Sequence, residues 1–365
     1  MVIKWQNQFI YIPFCDNICS YCDFCKLYTN EKFIDKYLNS LENEIENKYK
    51  KETIKTLYIG GGTPSSLNIE QLNKLFKILK KIKKSKNCEF TFECNIENIT
   101  KQKLELLLKN KVNRISVGIQ TFNEKYLEFL NRKYDEKEII KKISLIKNVG
   151  FKNINVDLIY AIPGQTKEEL EEDIDKFLNL QVNHISTYSL IIEPNTKIYI
   201  DKVKNIDEDL DYEMYKLINK KLKKEKFIHY ELSNYSKKGY ESKHNLNYWN
   251  NNEYYGFGLG ASGFVDKERY ENTRNLNKYT NGIYIKEKYL VSDKEMLENE
   301  FILGLRKIKG INKKNFQKKY GDINNIKILK ELINKKKLIE NKNYIYINPK
   351  YLYIQNSILI NFIDS

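Results

Sequence analysis

The sequence predicts an α/β protein, a partial (β/α)6 TIM-like barrel followed by a smaller C-terminal α+β module of winged-helix-like make-up. Three observations predict this. Short apolar runs alternate with amphipathic helical stretches between residues 9 and 190, the pattern of βαβ units on a parallel sheet. Six such units occur, short of the eight of a closed barrel. After about residue 200 the alternation fades and composition changes.

The strands are expected at 9–12, 56–59, 89–93, 114–119, 154–158 and 184–190, each a short run rich in β-branched and aromatic residues. Helices are expected at 31–50, 70–84, 101–110, 136–148 and 167–179, where apolar residues recur at helical spacing. Residues 207–226 read as a Lys-rich helix. Residues 228–265, rich in Tyr, Asn and Gly, read as loops and short strands. A further helix is expected over 293–306, and the tail 312–363 reads as two helices and short strands around Tyr344–Ile347. The expected division is 1–200 for the barrel, 201–290 for its extension and 291–365 for the small module.

Composition narrows the function classes. Hydrophobic residues make up 41% and aromatics 13%, while Pro is only 5 and Gly 15, which excludes a disordered or fibrous chain. The net charge is +15, yet only five of the 63 basic residues are Arg. Lys runs such as Lys335-Lys336-Lys337 read as solvated faces, so no nucleic-acid partner is expected. No apolar run approaches the ~20 residues of a membrane span. The start, Met1-Val2-Ile3-Lys4-Trp5-Gln6, lacks the apolar core of a signal peptide, and the expected location is cytoplasmic. Four of the six Cys fall within eleven positions; in a reducing compartment such clustering points to metal before disulfides.

The segment Ile12-Pro13-Phe14-Cys15-Asp16-Asn17-Ile18-Cys19-Ser20-Tyr21-Cys22 follows a strand and precedes a helix. Thiolates ligate iron in Fe–S clusters. A CxxxCxxC loop wraps Cys15, Cys19 and Cys22 around one 4Fe–4S cluster and leaves its fourth iron open to the amino and carboxylate groups of S-adenosylmethionine (SAM). An electron from the cluster then cleaves the sulfonium and gives a carbon radical; the cofactors carry that chemistry and the protein orients them. Two alternatives remain at this level: zinc on Cys15, Cys19, Cys22 and Cys25, or unmetallated thiols.

The mouth of a (β/α) barrel lies at the C-terminal ends of its strands. The second strand runs into Gly60-Gly61-Gly62-Thr63-Pro64, where glycines allow close backbone approach to a ligand. Glu93, Gln120 and Asp157 stand at the ends of the next three strands. An acidic residue there can hold ribose hydroxyls. Arg132 follows the fourth strand, and in a chain so poor in Arg it suits a planar carboxylate contact. Each of these alone is equally explained as a cap or surface group; together they read as one site.

These residues resemble a known family. The cysteine loop, the glycine run, Val117-Gly118-Ile119-Gln120-Thr121-Phe122, Asp157-Leu158-Ile159-Tyr160 and Pro163-Gly164-Gln165-Thr166 resemble the radical SAM group that includes coproporphyrinogen III dehydrogenase and HemW. Within it, His244-Asn245-Leu246-Asn247-Tyr248-Trp249 is similar to the HNxxYW motif of the HemW-type heme chaperones. The resemblance implies a cluster on Cys15, Cys19 and Cys22, a SAM site lined by Gly61, Gly62, Thr63, Glu93, Gln120, Arg132 and Asp157, and a heme contact at His244. It implies heme and apo-hemoproteins as partners, including respiratory membrane proteins. The basic charge itself leaves room for a peripheral membrane contact, and a second copy of the chain is a further candidate partner. The alternative activity is oxygen-independent coproporphyrinogen III oxidase, a radical oxidative decarboxylation. That enzyme has a fourth Cys two positions after the third, where this chain has Phe24, with Cys25 one later. The family's Tyr-Ile-His-Ile-Pro is here Phe9-Ile10-Tyr11-Ile12-Pro13. By local chemistry alone His244 reads as part of a hydrogen-bonded turn with Trp249 in the core; the resemblance turns it towards heme. His184 and His229 are expected to be structural.

Overall fold

A computed structural model describes residues 7–323 and 326–363. The N-terminal stretch read above, residues 1–6, lies outside the described residues, as do 324–325 and 364–365.

Six parallel strands, β1 (Asn7–Ile12), β2 (Ile54–Gly61), β3 (Lys84–Asn95), β4 (Arg114–Gln120), β5 (Asn153–Tyr160) and β6 (His184–Ser189), pair in sequence order. Helices α1 (Glu31–Lys48), α2 (Ile69–Leu79), α3 (Lys101–Lys109), α4 (Glu136–Val149), α5 (Lys167–Asn179) and α6 (Glu208–Lys224) connect and cover them. Their starts follow local chemistry. Asn68 caps α2 and Thr166 caps α5, each in a capping box that satisfies two otherwise orphaned amides. Gly150 closes α4 at φ 117°, a left-handed position that favours Gly.

The strands alternate strictly, and the alternation divides two environments. Ile10, Ile12, Leu57, Ile59, Phe90, Phe92, Ile115, Val117, Ile154, Val156 and Ile185 face outward into one core with Ile34, Leu38, Leu72 and Leu75 of the helices. The opposite parity carries Tyr58, Glu93, Arg114, Ser116, Asn155, Asp157, His184 and Ser186, which are polar and line the lumen. A barrel filled only for stability would carry apolar residues there as well.

The sheet departs from six strands at both ends. Tyr255–Phe257 pairs in parallel with β1, and Asn234–Ser236 then Ile228–His229 extend it antiparallel beyond β6. The region expected as loops and short strands thus supplies a seventh parallel strand and, in addition, a short helix, Lys243–Trp249. The helix expected over 70–84 stops at Leu79, because Lys84 already opens β3. Ser262–Val265, Glu268–Asn272 and Ile285–Leu290 form a separate antiparallel sheet. A second apolar cluster, including Phe301, Phe316, Leu329, Leu338, Ile345 and Phe362, builds the C-terminal module around three short antiparallel strands. No helix among the described residues is long and apolar enough to cross a membrane.

One buried carboxylate fastens the extra strand to the barrel. Glu44 of α1 is fully buried. It pairs with Lys48 at 2.7 Å and accepts hydrogen bonds from the Gly258 amide (2.8 Å), the Asn272 side chain (2.7 Å) and the Tyr279 hydroxyl (2.7 Å).

Candidate functional site

The C-terminal ends of the strands open into a cavity of about 530 Å³, within the usual size of a small-molecule site. Cys15, Cys19, Cys22, Gly61, Gly62, Thr63, Glu93, Gln120, Arg132 and Asp157 all line it. The ten residues singled out for cluster and SAM are therefore gathered in one place. His244 is not among them.

The cysteine loop is held by the segment that follows β4. The Ser20 amide donates to the Leu130 carbonyl (3.3 Å), the Ser20 hydroxyl to Phe129 (2.7 Å), and the Asn131 side chain to Ile18 (2.8 Å). Asn131 sits at φ 56°, a strained value that this double anchoring sustains. Cys15 is the deepest of the three thiols, 7% exposed, and accepts from the Thr63 hydroxyl at 3.3 Å. Burial pushes the Cys15 thiol up to about 11 and raises Cys22 as well, so a thiolate there needs a cation to stabilise it.

Thr63 in turn accepts from Asn95 at 3.1 Å. Gly62 passes so close to the loop that a Cβ would lie 2.7 Å from the Pro13 carbonyl carbon. A Cβ on Gly60 would lie 2.7 Å from the Glu93 carboxyl. The glycine run is thus a packing requirement between β1, β2 and β3 as well as an open backbone.

Glu93 accepts from Tyr58 (2.6 Å) and from the Gly61 amide (3.1 Å). Burial raises its carboxyl to about 7; these hydrogen bonds oppose the rise and neighbouring Asp157 adds to it. Asp157, raised chiefly by burial, accepts from Asn155 at 2.8 Å. Gln120 stands at φ 73°, where the register with β5 slips between Gly118 and Gln120. Such a bulge re-aims a side chain, here into the cavity. Arg132 donates from Nη2 to Tyr21 at 2.8 Å, and its buried Nε has no partner. An orphaned guanidinium nitrogen beside a cavity suits an anionic ligand group.

The donor set fits a cluster better than a single ion. Among the described residues no three His, Cys, Asp or Glu side chains converge on one metal position. A tetrahedral zinc would draw its sulfurs to about 3.8 Å from one another. In a 4Fe–4S cube each thiolate binds its own iron. Cys25, the fourth thiolate of the zinc alternative, does not line the cavity and packs against Gly260.

The two departures from the family's first-strand motif fall in the lumen. Tyr11 donates to the Cys25 carbonyl (2.9 Å), and the Phe9 ring lies between Tyr11 and Tyr58, at 5.9 and 5.6 Å. Tyr21, Asn95 and Tyr188 also line the cavity and were not singled out from sequence. Tyr188 is the one a strand-end rule finds, near the end of β6.

His244 lies at the other end of the barrel. Its Nδ1 meets Thr56 Oγ1 at 2.8 Å, near the start of β2, and its Nε2 meets the Tyr248 hydroxyl at 2.8 Å. Its amide donates to Glu89 at 2.9 Å. The imidazole is 2% exposed, and burial pushes it down to about 3, so it is neutral. Both ring nitrogens are engaged; a contact with heme iron at His244 requires the ring to leave one of them. Trp249 donates from Nε1 to Glu231 at 2.5 Å. His184, also buried, bridges Asn155 and Tyr230, and His229 stacks on Tyr235 at 4.3 Å.

Fold and site together define a radical SAM protein. The Radical SAM superfamily matches residues 9–177. The chain belongs to the HemW family: it is 36% identical to "Heme chaperone HemW" of Bacillus subtilis over 97% of this chain and 98% of that one. It is 37% identical to the Lactococcus lactis protein of the same name, over 100% and 98%. Among solved structures, the coproporphyrinogen III oxidase HemN of Escherichia coli, described as a radical SAM enzyme, superposes with a TM-score of 0.87, 20% identity, over 99% of this chain and 90% of that one. At that identity the likeness is one of fold.

Proposed function

We propose that the protein is a heme chaperone that binds heme and passes it to apo-hemoproteins, respiratory membrane proteins among them. The observation that carries this reading is similarity along essentially the whole chain to relatives named heme chaperones. Cys15, Cys19 and Cys22 would hold a 4Fe–4S cluster, and Gly61, Gly62, Thr63, Glu93, Gln120, Arg132 and Asp157 would hold SAM. When bound, the pair supplies one-electron cleavage of a sulfonium. The chain's own contribution is to orient: Arg132 faces a carboxylate, Glu93 and Asp157 face hydroxyl or ammonium donors, and the anchored loop fixes the thiols.

The test is titration with hemin after anaerobic reconstitution, with and without SAM. A saturable Soret shift with roughly one heme per chain is expected. No shift overturns the reading, and conversion of coproporphyrinogen III by the same preparation replaces it with the oxidase. The His244→Ala variant decides the role of that imidazole: loss of the shift assigns it to heme, and an unchanged shift with a lowered Tm assigns it to the fold.

Glu93 gives the SAM site a pH dependence. Its carboxyl, raised to about 7, takes up a proton on folding from pH values above the ordinary carboxylate range. Stability from this group is therefore present below the unfolded value and is lost as pH rises through about 7. SAM binding runs the other way, because the carboxylate is the acceptor. Affinity for SAM is expected to rise roughly tenfold between pH 6 and 8, with a proton released on binding. Calorimetry in two buffers measures both, and Glu93→Gln should flatten the profile.

A further inference from the structure

Helix Lys243–Trp249 has two faces. His244 and Tyr248 turn towards the barrel, whereas Lys243, Leu246 and Asn250 line a cleft of about 1250 Å³. The other wall comes from the C-terminal module: Lys307, Lys309, Lys318, Lys319 and Tyr344. The lining is biased in charge. Five lysines face two carboxylates, Glu241 and Glu300. Glu300 is already taken by Lys319 at 3.0 Å and by the Tyr320 hydroxyl at 3.3 Å. Among the described residues Lys243, Lys307 and Lys318 have no acidic partner within ion-pair distance. Lys307 is half-buried in the wall and donates to Asn250 Oδ1 at 2.5 Å. Burial lowers its ammonium to about 8, so an anion beside it would relieve an uncompensated charge.

The same cleft has flat and apolar elements. Leu246 and the Tyr344 ring are its half-buried apolar lining, over the buried Ile311 and Tyr230, with the Lys309 ammonium 4.6 Å from the centre of the Tyr344 ring. Unpaired cations around aromatic and aliphatic surface call for a ligand with an apolar, planar body and carboxylates at one edge. Heme has that chemistry: an extended ring with two propionates.

We infer that this cleft receives heme, with Lys307, Lys309 and Lys318 holding its propionates and Leu246 and Tyr344 meeting the ring. The inference rests on the heme reading above and assigns that ligand a place. It puts heme on the far side of the Lys243–Trp249 helix from His244, and at the end of the barrel away from the cysteines.

The test compares hemin with hemin dimethyl ester, whose carboxylates are blocked, on the reconstituted full chain. Three proteins are titrated: the parent, the cleft variant Lys307→Gln/Lys309→Gln/Lys318→Gln, and a control of equal charge loss on exposed lysines elsewhere, Lys55→Gln/Lys109→Gln/Lys137→Gln. The expected result is at least tenfold tighter binding of hemin than of its ester by the parent and the control. In the cleft variant hemin should weaken to the level of the ester. Lys318→Glu alone, at an exposed position, should weaken hemin in the same direction should the triple variant misfold. Equal affinity for hemin in the parent and both cleft variants overturns the cleft while leaving a heme chaperone intact. Parallel losses in control and cleft variants overturn it in favour of general charge attraction. Absence of hemin binding by the parent overturns the heme reading and the cleft with it.

Discussion

Cys19→Ser protein, reconstituted anaerobically with iron and sulfide, will hold less than about a tenth of the parent's iron and lose its brown absorbance. Cys15, Cys19 and Cys22 line the cavity from one loop, apart from the 5%-exposed Cys94 of β3, and a cluster held by three thiolates has none to spare. A hydroxyl is a poor replacement because it stays protonated where a thiol ionises on iron. Cys19 is the informative position. It is less buried than Cys15, which sits 7% exposed against Thr63, so the change tests ligation with little disturbance to packing. Cys25→Ser is the paired control. That thiol packs on Gly260 outside the cavity, and the variant should keep its full iron content. Iron retained by Cys19→Ser, or lost from Cys25→Ser, would contradict the three-thiolate assignment.

The part of the site that was legible in the sequence is the part made by strand ends. Parallel strands fed from one direction deliver Gly61, Glu93, Gln120 and Asp157 to one face without any knowledge of loops. Arg132 could be guessed from its rarity, but its partner Tyr21 could not, because nothing in the spacing of the cysteine loop says which ring turns inward. Short strands are expected in 228–265, but Tyr255–Phe257 could not be located within that region for a physical reason: three residues carry too little periodicity, and its pairing with β1 is set by contacts from residues far away in sequence. His244 shows the other limit. A motif identifies a residue but not which way its helix faces, and here the imidazole meets Thr56 while Lys243 and Leu246 meet the cleft.

Glu44→Ala is expected to be the most damaging single change outside the cysteine loop. The carboxylate is fully buried, and four groups depend on it: Lys48, the Gly258 amide, Asn272 and Tyr279. Removing one member of a buried charged network leaves the others desolvated and unpaired, at a cost of about 3–5 kcal/mol. In a chain of this size that corresponds to a Tm lower by on the order of 4–7 °C. Glu44→Gln keeps the shape but offers one acceptor oxygen to donors that approach both, so it should fall between. The damage should be local before it is global. Glu44 ties α1 to the segment carrying Tyr255–Phe257, and Gly258 in that segment lies against the Tyr11 carbonyl, four residues before Cys15. Limited proteolysis of Glu44→Ala at a temperature below its Tm should therefore cut first between residues 255 and 290, with loss of reconstituted iron following the cut. An unchanged Tm, or first cleavage within β2 to β6, would show that the seventh strand is held by its apolar contacts and that the carboxylate is dispensable.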